Sequence, residues 1–167
     1  MEGQIFDDLR QFIEASKKVS EWREIKGADW NLEIGALIEA TAELIPQPPM
    51  LVFDEIKGYP QGFRVVGLAF GSYKRVALAL GLPHDRSKLE LVRLASRKIG
   101  SAKPISPKEV SRAPVTENVR TGDSVDLFEF PALRSHEGDG GRYIGTGDVV
   151  INADPEGGFV NMGTYRM

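Results

Sequence analysis

Cysteine is absent from this 167-residue chain. That excludes disulfides, thiolate nucleophiles, iron–sulfur ligation and Cys-based zinc sites, and it fits a reducing cytoplasm. Histidine is nearly as scarce: His84 and His136 are the only two, too few for a His-rich metal cage. Basic excess is missing too. The formal charge is −3, which gives no electrostatic case for nucleic acid or an anionic membrane. No apolar run approaches the roughly 20 residues that span a bilayer. The N-terminus Met1-Glu2-Gly3-Gln4-Ile5-Phe6-Asp7-Asp8 is acidic and lacks the basic-then-apolar pattern of a signal peptide. Neither a repeat nor a low-complexity tract is present.

What remains is ordinary globular material, 41% hydrophobic and 27% charged, with enough length for a real core. Ile5, Leu9, Phe12 and Ile13 share a helical face, predicting an amphipathic helix over residues 4–18. Trp22–Ile25 reads as a short strand. Asn31 reads as the N-cap of a helix carrying Ile34, Leu37, Ile38 and Leu44, stopped by Pro46, Pro48 and Pro49. Strands are expected at Met50–Phe53 and Phe63–Leu68. Ser72 caps a helix to Leu80 with Gly81 as its stop, and Ser87-Lys88-Leu89-Glu90 is a capping box opening a helix to about Ile99.

Character changes near Gly100. Pro104, Pro107 and Pro114 mark an extended connector in which Ser106–Glu109 could start one helical turn. Beyond it, Val115–Val119, Leu127–Phe130, Tyr143–Ala153 and Phe159–Arg166 read as strands, the last two joined by a turn at Asp154–Gly158. The fold class is therefore α/β (α+β), with an N-terminal α/β domain over residues 1–105 and β-rich material over 106–167. The chain stops one residue after Arg166, where a sheet should continue. An open edge exposes backbone donors and acceptors, so the chain is expected to be part of something larger.

Several residues could carry chemistry. Phe70-Gly71-Ser72 before a helix could present amides to a phosphate, but an ordinary N-cap explains it. Lys57-Gly58-Tyr59-Pro60 reads as a turn with a solvated lysine. His136-Glu137-Gly138-Asp139-Gly140-Gly141 combines a histidine, two carboxylates and flexible backbone; it reads as a solvated, mobile loop rather than a metal site. Thr146, Asn161 and Arg166 are polar positions inside apolar strands. An Asn amide oxygen is a hard neutral ligand for Mn²⁺ or Mg²⁺, and Arg offers a permanently charged fork for phosphate or carboxylate. Residues five apart on a regular strand face opposite sides, so Asn161 and Arg166 share a site only if the strand bends, bulges or ends between them, with Gly163 the obvious place. Without that, Asn161 is a strand-edge residue and Arg166 a surface ion pair.

Leu51–Pro60, Phe70-Gly71-Ser72 with Arg75–Leu82, Asp126-Leu127 with Phe130-Pro131, and Asn161-Met162-Gly163-Thr164-Tyr165-Arg166-Met167 together resemble the UbiD family of decarboxylases, in order and over nearly the whole chain. The resemblance implies a small N-terminal α/β domain followed by the start of a split β-barrel that binds prenylated FMN, in a carboxy-lyase that reversibly decarboxylates aromatic or α,β-unsaturated acids. It implies Asn161 as a ligand of the Mn²⁺ that holds the cofactor phosphate, with K⁺ as a second cation to consider. It implies Arg166 as the catalytic arginine beside the flavin, and Thr146, Gly163, Thr164 and Tyr165, with Asn161 and Arg166, as positions lining the cofactor. The family's remaining metal ligands, catalytic glutamates and oligomerisation domain lie downstream of these motifs, and neither His84 nor His136 matches the metal-binding histidine. Ala69 stands where the family has Asn. The expectation is thus an incomplete enzyme: Arg166 has no acid partner, the chain alone is inactive, and a C-terminal half or second subunit would complete a homo-oligomeric assembly. The alternative is a non-catalytic assembly module whose β-rich tail pairs with a partner's sheet edge.

Overall fold

The computed structural model describes residues 5–19 and 21–167. It is an α+β structure of four helices, two small sheets and three short 3-10 turns among those residues. The chain forms two compact units that interleave in sequence: one takes residues up to Glu21 together with Phe70–Leu127, the other Trp22–Ala69 together with Phe128–Met167.

The first unit is helical. Helix α1 spans Leu9–Lys18, because the Asp8 side chain accepts from the Gln11 amide and fixes the start there. The expected earlier start is corrected for residues 5–8, and Gln4 lies outside the described residues. Phe12 and Ile13 are buried, but Ile5 and Leu9 are exposed, so half of the expected apolar face points outward. The helix at Glu33–Leu44, α2, belongs to the second unit. Helix α3, Tyr73–Ala79, is capped by Ser72 as expected, and Gly81 follows with φ +62. Helix α4, Lys88–Gly100, opens with the complete Ser87/Glu90 capping box. Ala77, Leu82 and Leu91 form the small core between α3 and α4.

Arg75 is the largest fully buried side chain. Its Nη1 lies 3.0 Å from Glu21 Oε2 and also donates to the Glu21 carbonyl, and Ser72 Oγ donates to the same carboxylate. Burial pulls the Arg75 pKa down, and Glu21 opposes that pull. A buried guanidinium needs such a partner, because an unpaired one would be costly.

The second unit is a three-stranded sheet with a helix against it. Strands β1 (Trp22–Lys26) and β2 (Met50–Asp54) run parallel, and β3 (Val65–Gly67) pairs antiparallel to β2. Met50 through Phe53 are buried in succession, as the central strand of a covered sheet should be. Helix α2 (Glu33–Leu44) packs Ile34, Leu37 and Ile38 onto Leu51 and Phe53. Asn31 does not cap it. Leu32, at φ +68, occupies that position without a side-chain bond, and Asn31 is drawn instead into a parallel bridge with Arg134. Leu44 is exposed, so it does not join the helix's buried face.

The late strands are fewer than expected. Val115–Val119 and Leu127–Phe130 are not strands: Pro114–Thr116 and Leu127–Glu129 form 3-10 turns, and no ladder partner lies beside them among the described residues. The local chemistry explains the first, since Thr116 Oγ1 bonds back to the Ala113 carbonyl. Ser106–Glu109 makes no helical turn. The expected Tyr143–Ala153 strand shortens to β4, Asp148–Ala153, and β5 covers Val160–Tyr165. They form a hairpin in unbroken antiparallel register, closed at Asp154–Gly158, where Gly157 and Gly158 have φ +90 and +102. No closed barrel is formed by the described residues.

Candidate functional site

The site grows from the segment 131–145 of the second unit. Gly35 faces Ser135 so closely that a Cβ there would lie 2.6 Å from the Ser135 Cα. A side chain at 35 would push the segment away, so glycine in the first turn of α2 trades helix propensity for this contact. Leu32 N donates to the Arg134 carbonyl and Arg134 N to the Trp30 carbonyl, fixing residues 133–135 beside the start of α2. Leu133 then exchanges two backbone bonds with Tyr143. Arg142 plugs the base of this excursion. Its guanidinium lies 3.7 Å from the Trp30 ring centroid and 4.7 Å from that of Phe128, its Nε donates to the Ala132 carbonyl, and it bonds the Tyr59 hydroxyl.

Residues 136–141 are thus tied at both ends, and Asp139 turns inward. Its Oδ2 accepts from the amides of Ser135 and His136, each at 3.0 Å. Arg166 meets the same carboxylate with two nitrogens: Nη1 lies 3.1 Å from Oδ1, and Nη2 donates to Oδ2 at 3.2 Å. The Asp139 side chain is only 7% exposed, against 40% for Arg166. The Arg166 guanidinium also lies 4.1 Å from the Tyr143 ring centroid. The His136 amide, then the Ser135 amide and the Arg166 charge, hold the Asp139 carboxyl below the usual aspartate range, while partial desolvation works the other way. His136 stands between Asp139 and Glu39, its Nε2 3.4 Å from Glu39 Oε2.

This corrects one expectation. The 136–141 stretch is not simply solvated, because Asp139 is a nearly buried anchor. Arg166 forms an ion pair, one of the alternatives its sequence position left open, with a partner inside the chain. Sequence reasoning isolated both residues but did not join them, since 27 positions separate them. The signals that could have linked them are Gly35 inside an expected helix and the aromatic Trp30, Tyr59 and Phe128 without an obvious core, which together hold the segment that carries Asp139.

The other positions fall elsewhere. Gly163 pairs with Val150 in regular register, so there is no bulge between Asn161 and Arg166. Asn161 Nδ2 reaches the Tyr165 hydroxyl at 3.5 Å, whereas Arg166 turns to Asp139 and Tyr143; the two share no partner. Gly163 leaves room for the Tyr165 ring, which would stand 2.5 Å from a Cβ there. Thr164 is an exposed strand residue. Thr146 is not within a strand at all: it sits in the exposed bend before β4. Arg166 follows the end of β5, where Met167 continues the pairing by exchanging bonds with Ile144 and Gly145. Among the described residues no three His, Cys, Asp or Glu side chains are placed to hold a metal ion, and no helix is long and apolar enough to cross a membrane.

Known proteins place this arrangement. Residues 13–95 match the 3-octaprenyl-4-hydroxybenzoate carboxy-lyase N-terminal domain, and residues 108–167 match the Rift-related domain of the same carboxy-lyase. The chain is 35% identical to a phenolic acid decarboxylase of Streptomyces sp. (strain D7), over 97% of this chain and 35% of that protein. It is 33% identical to the pyrrole-2-carboxylic acid decarboxylase of Pseudomonas aeruginosa, over 96% of this chain and 33% of that one. The closed form of the vanillic acid decarboxylase of Sedimentibacter hydroxybenzoicus superposes with a TM-score of 0.85 at 33% identity, covering 98% of this chain and 35% of that chain. Its open form gives 0.81 at 33% identity, with the same two coverages. This chain therefore spans about a third of the length of the relatives it matches. With one family's two domains matched in order, the chain belongs to the UbiD family of carboxy-lyases.

Proposed function

We propose that this chain is the N-terminal portion of a decarboxylase acting on aromatic or α,β-unsaturated carboxylic acids, and that Arg166 receives the substrate carboxylate. The observation that carries the reading is the Arg166 guanidinium itself. Asp139 occupies its two terminal nitrogens from one side, and the Nε edge of the fork is left for a second carboxylate. The decarboxylase names of its relatives support the reaction class. In this reading residues 1–105 are the N-terminal α/β domain and 106–167 the first strands of a split barrel.

The family cofactor would be prenylated FMN, which supplies the electron sink for loss of CO₂. Asn161 Oδ1 has the right chemistry for a hard divalent cation such as Mn²⁺. One amide oxygen does not hold such an ion, and the described residues offer no acidic or histidine cluster to complete the shell. The residues present therefore do not make the metal site by themselves. Thr146, Gly163, Thr164 and Tyr165 would belong to the cofactor wall once further strands are present.

Within this chain Arg166 binds and orients. Asp139 is held in its ionised form, so it is a poor general acid near neutral pH. The chain alone is accordingly expected to be inactive. Native mass spectrometry of the protein as purified, followed by CO₂ release from hydroxybenzoate- and cinnamate-type acids with reduced prenylated FMN and Mn²⁺, tests this. Turnover that requires an additional polypeptide supports the reading. Turnover by the 18.4 kDa chain alone would overturn the expectation of inactivity, and a completed protein that binds flavin but releases no CO₂ would overturn the decarboxylase itself.

The assembly-module reading draws on the β4–β5 hairpin, where Val149, Ile151, Val160 and Met162 are all exposed. If changes at Val160 and Met162 abolish partner binding while Asn161→Ala and Arg166→Ala leave the biological activity intact, that reading replaces the first.

A further inference from the structure

We propose that Asp139 is the positioning residue for Arg166, fixing the direction in which the guanidinium meets a carboxylate. The inference rests on the reading of Arg166 given above. An arginine side chain that is 40% exposed has four flexible bonds and no reason of its own to hold one rotamer. Asp139 supplies the reason. It is itself immobilised by the two amides of Ser135 and His136, and the turn behind it is closed by the Asp139 amide donating to the His136 carbonyl and by Arg134 donating to the Glu137 carbonyl.

The carboxylate therefore comes to Arg166 as a fixed object rather than as a mobile counter-ion. Its two oxygens face the two terminal nitrogens, which sets the plane of the fork. Tyr143 lies against that plane, and Tyr143 is itself paired to Leu133. Two constraints from two parts of the segment thus converge on one guanidinium. The pairing also balances the arginine's charge, so an incoming acid meets a directional donor edge instead of a bare cation. His136 also lies near Asp139, with Nδ1 3.8 Å from Oδ2, and reaches Glu39 with its other ring nitrogen.

The test uses Asp139→Asn and Asp139→Glu beside Arg166→Ala. In the full chain labelled with ¹⁵N-arginine, the Arg166 guanidinium should show slowed rotation about its Cζ–Nη bonds. Asp139→Asn should abolish that slowing, and Asp139→Glu should restore part of it, with the Val52 and Phe53 amides of β2 unmoved in both. In the whole holoprotein, Asp139→Asn is expected to lower kcat by about 10- to 100-fold, the scale of a misplaced catalytic group, with a smaller change in KM. Asp139→Glu should recover part of the loss. Unchanged guanidinium dynamics in Asp139→Asn would overturn the proposal whatever the activity shows. If Arg166→Ala is inactive but Asp139→Asn turns over like the unmodified enzyme, the positioning role fails and the role of Arg166 stands. Full activity in Arg166→Ala would overturn the reading of Arg166 and this inference with it.

Discussion

Asp139 is the residue on which the site turns, and its environment makes a statement about pH. Two backbone amides and Arg166 favour its ionised form, so its folded pKa lies below the unfolded one. For a carboxylate shifted in that direction, the stabilisation is fully present above the unfolded pKa and is lost as pH falls through the folded value. An acid titration followed by NMR should therefore show the Ser135 and His136 amides keeping their neutral-pH positions through the usual aspartate range. They should move together, with a single midpoint below that range. A midpoint at or above the ordinary aspartate value would mean that the amide clamp does not persist in solution.

At the scale of elements, the contact that matters is that of α2 with the 133–136 segment. Gly35 permits it, because a Cβ at that position would fall on Ser135 backbone, which cannot swing aside as a side-chain tip can. Gly35→Ala sets two effects against each other. Alanine favours the helix by up to about 1 kcal/mol, whereas inserting a methyl into a closed contact costs about 1–3 kcal/mol. The clash is with backbone, so the second effect is expected to win. Urea unfolding should show a net loss of about 1 kcal/mol or more, and the Asp139–Arg166 pair should loosen. A gain in stability would show that the segment can retreat from α2 without penalty. Gly67 makes a milder approach of the same kind, its missing Cβ giving way to the Ile38 side chain, a tip that can rotate.

At the scale of the whole chain, the second unit is closed by residues remote in sequence. Leu133 packs into the cluster built from Ala28, Ile34, Leu51, Phe53 and Ile56, although some eighty positions of sequence lie between it and β2. A polypeptide ending at residue 105 would keep all three strands of the sheet and α2 while losing Leu133, the Arg134 bridge to Asn31 and the Arg142 stack on Trp30. Leu133 is partly buried, so its loss costs some fraction of the about 1.5–3 kcal/mol of a fully buried side chain. Such a truncation is expected to unfold at clearly lower urea concentration than the full chain, and equal midpoints would show that the segment 128–145 contributes nothing to this core.

Local sequence determined the parts whose chemistry is local. Ser72 and Ser87 start helices because a side-chain oxygen meets an amide three residues on, and the 154–158 turn forms because glycines there accept positive φ. The buried run Met50–Phe53 was legible as a strand for the same reason, since apolarity without alternation marks a covered sheet. The strand readings at 115–119 and 127–130 failed because strand formation needs a partner ladder, which no short stretch carries within itself. Asn31 failed as a cap because the residues on either side of it, Trp30 and Leu32, are bonded to Arg134 of a distant segment. The family motif pointed to Arg166 from the sequence, but its pairing with Asp139 could be decided only by tertiary structure. An ion pair across 27 residues depends on Gly35, Trp30, Tyr59 and Tyr143 bringing two remote pieces of chain to one place, and distance in space is not written in spacing along the chain.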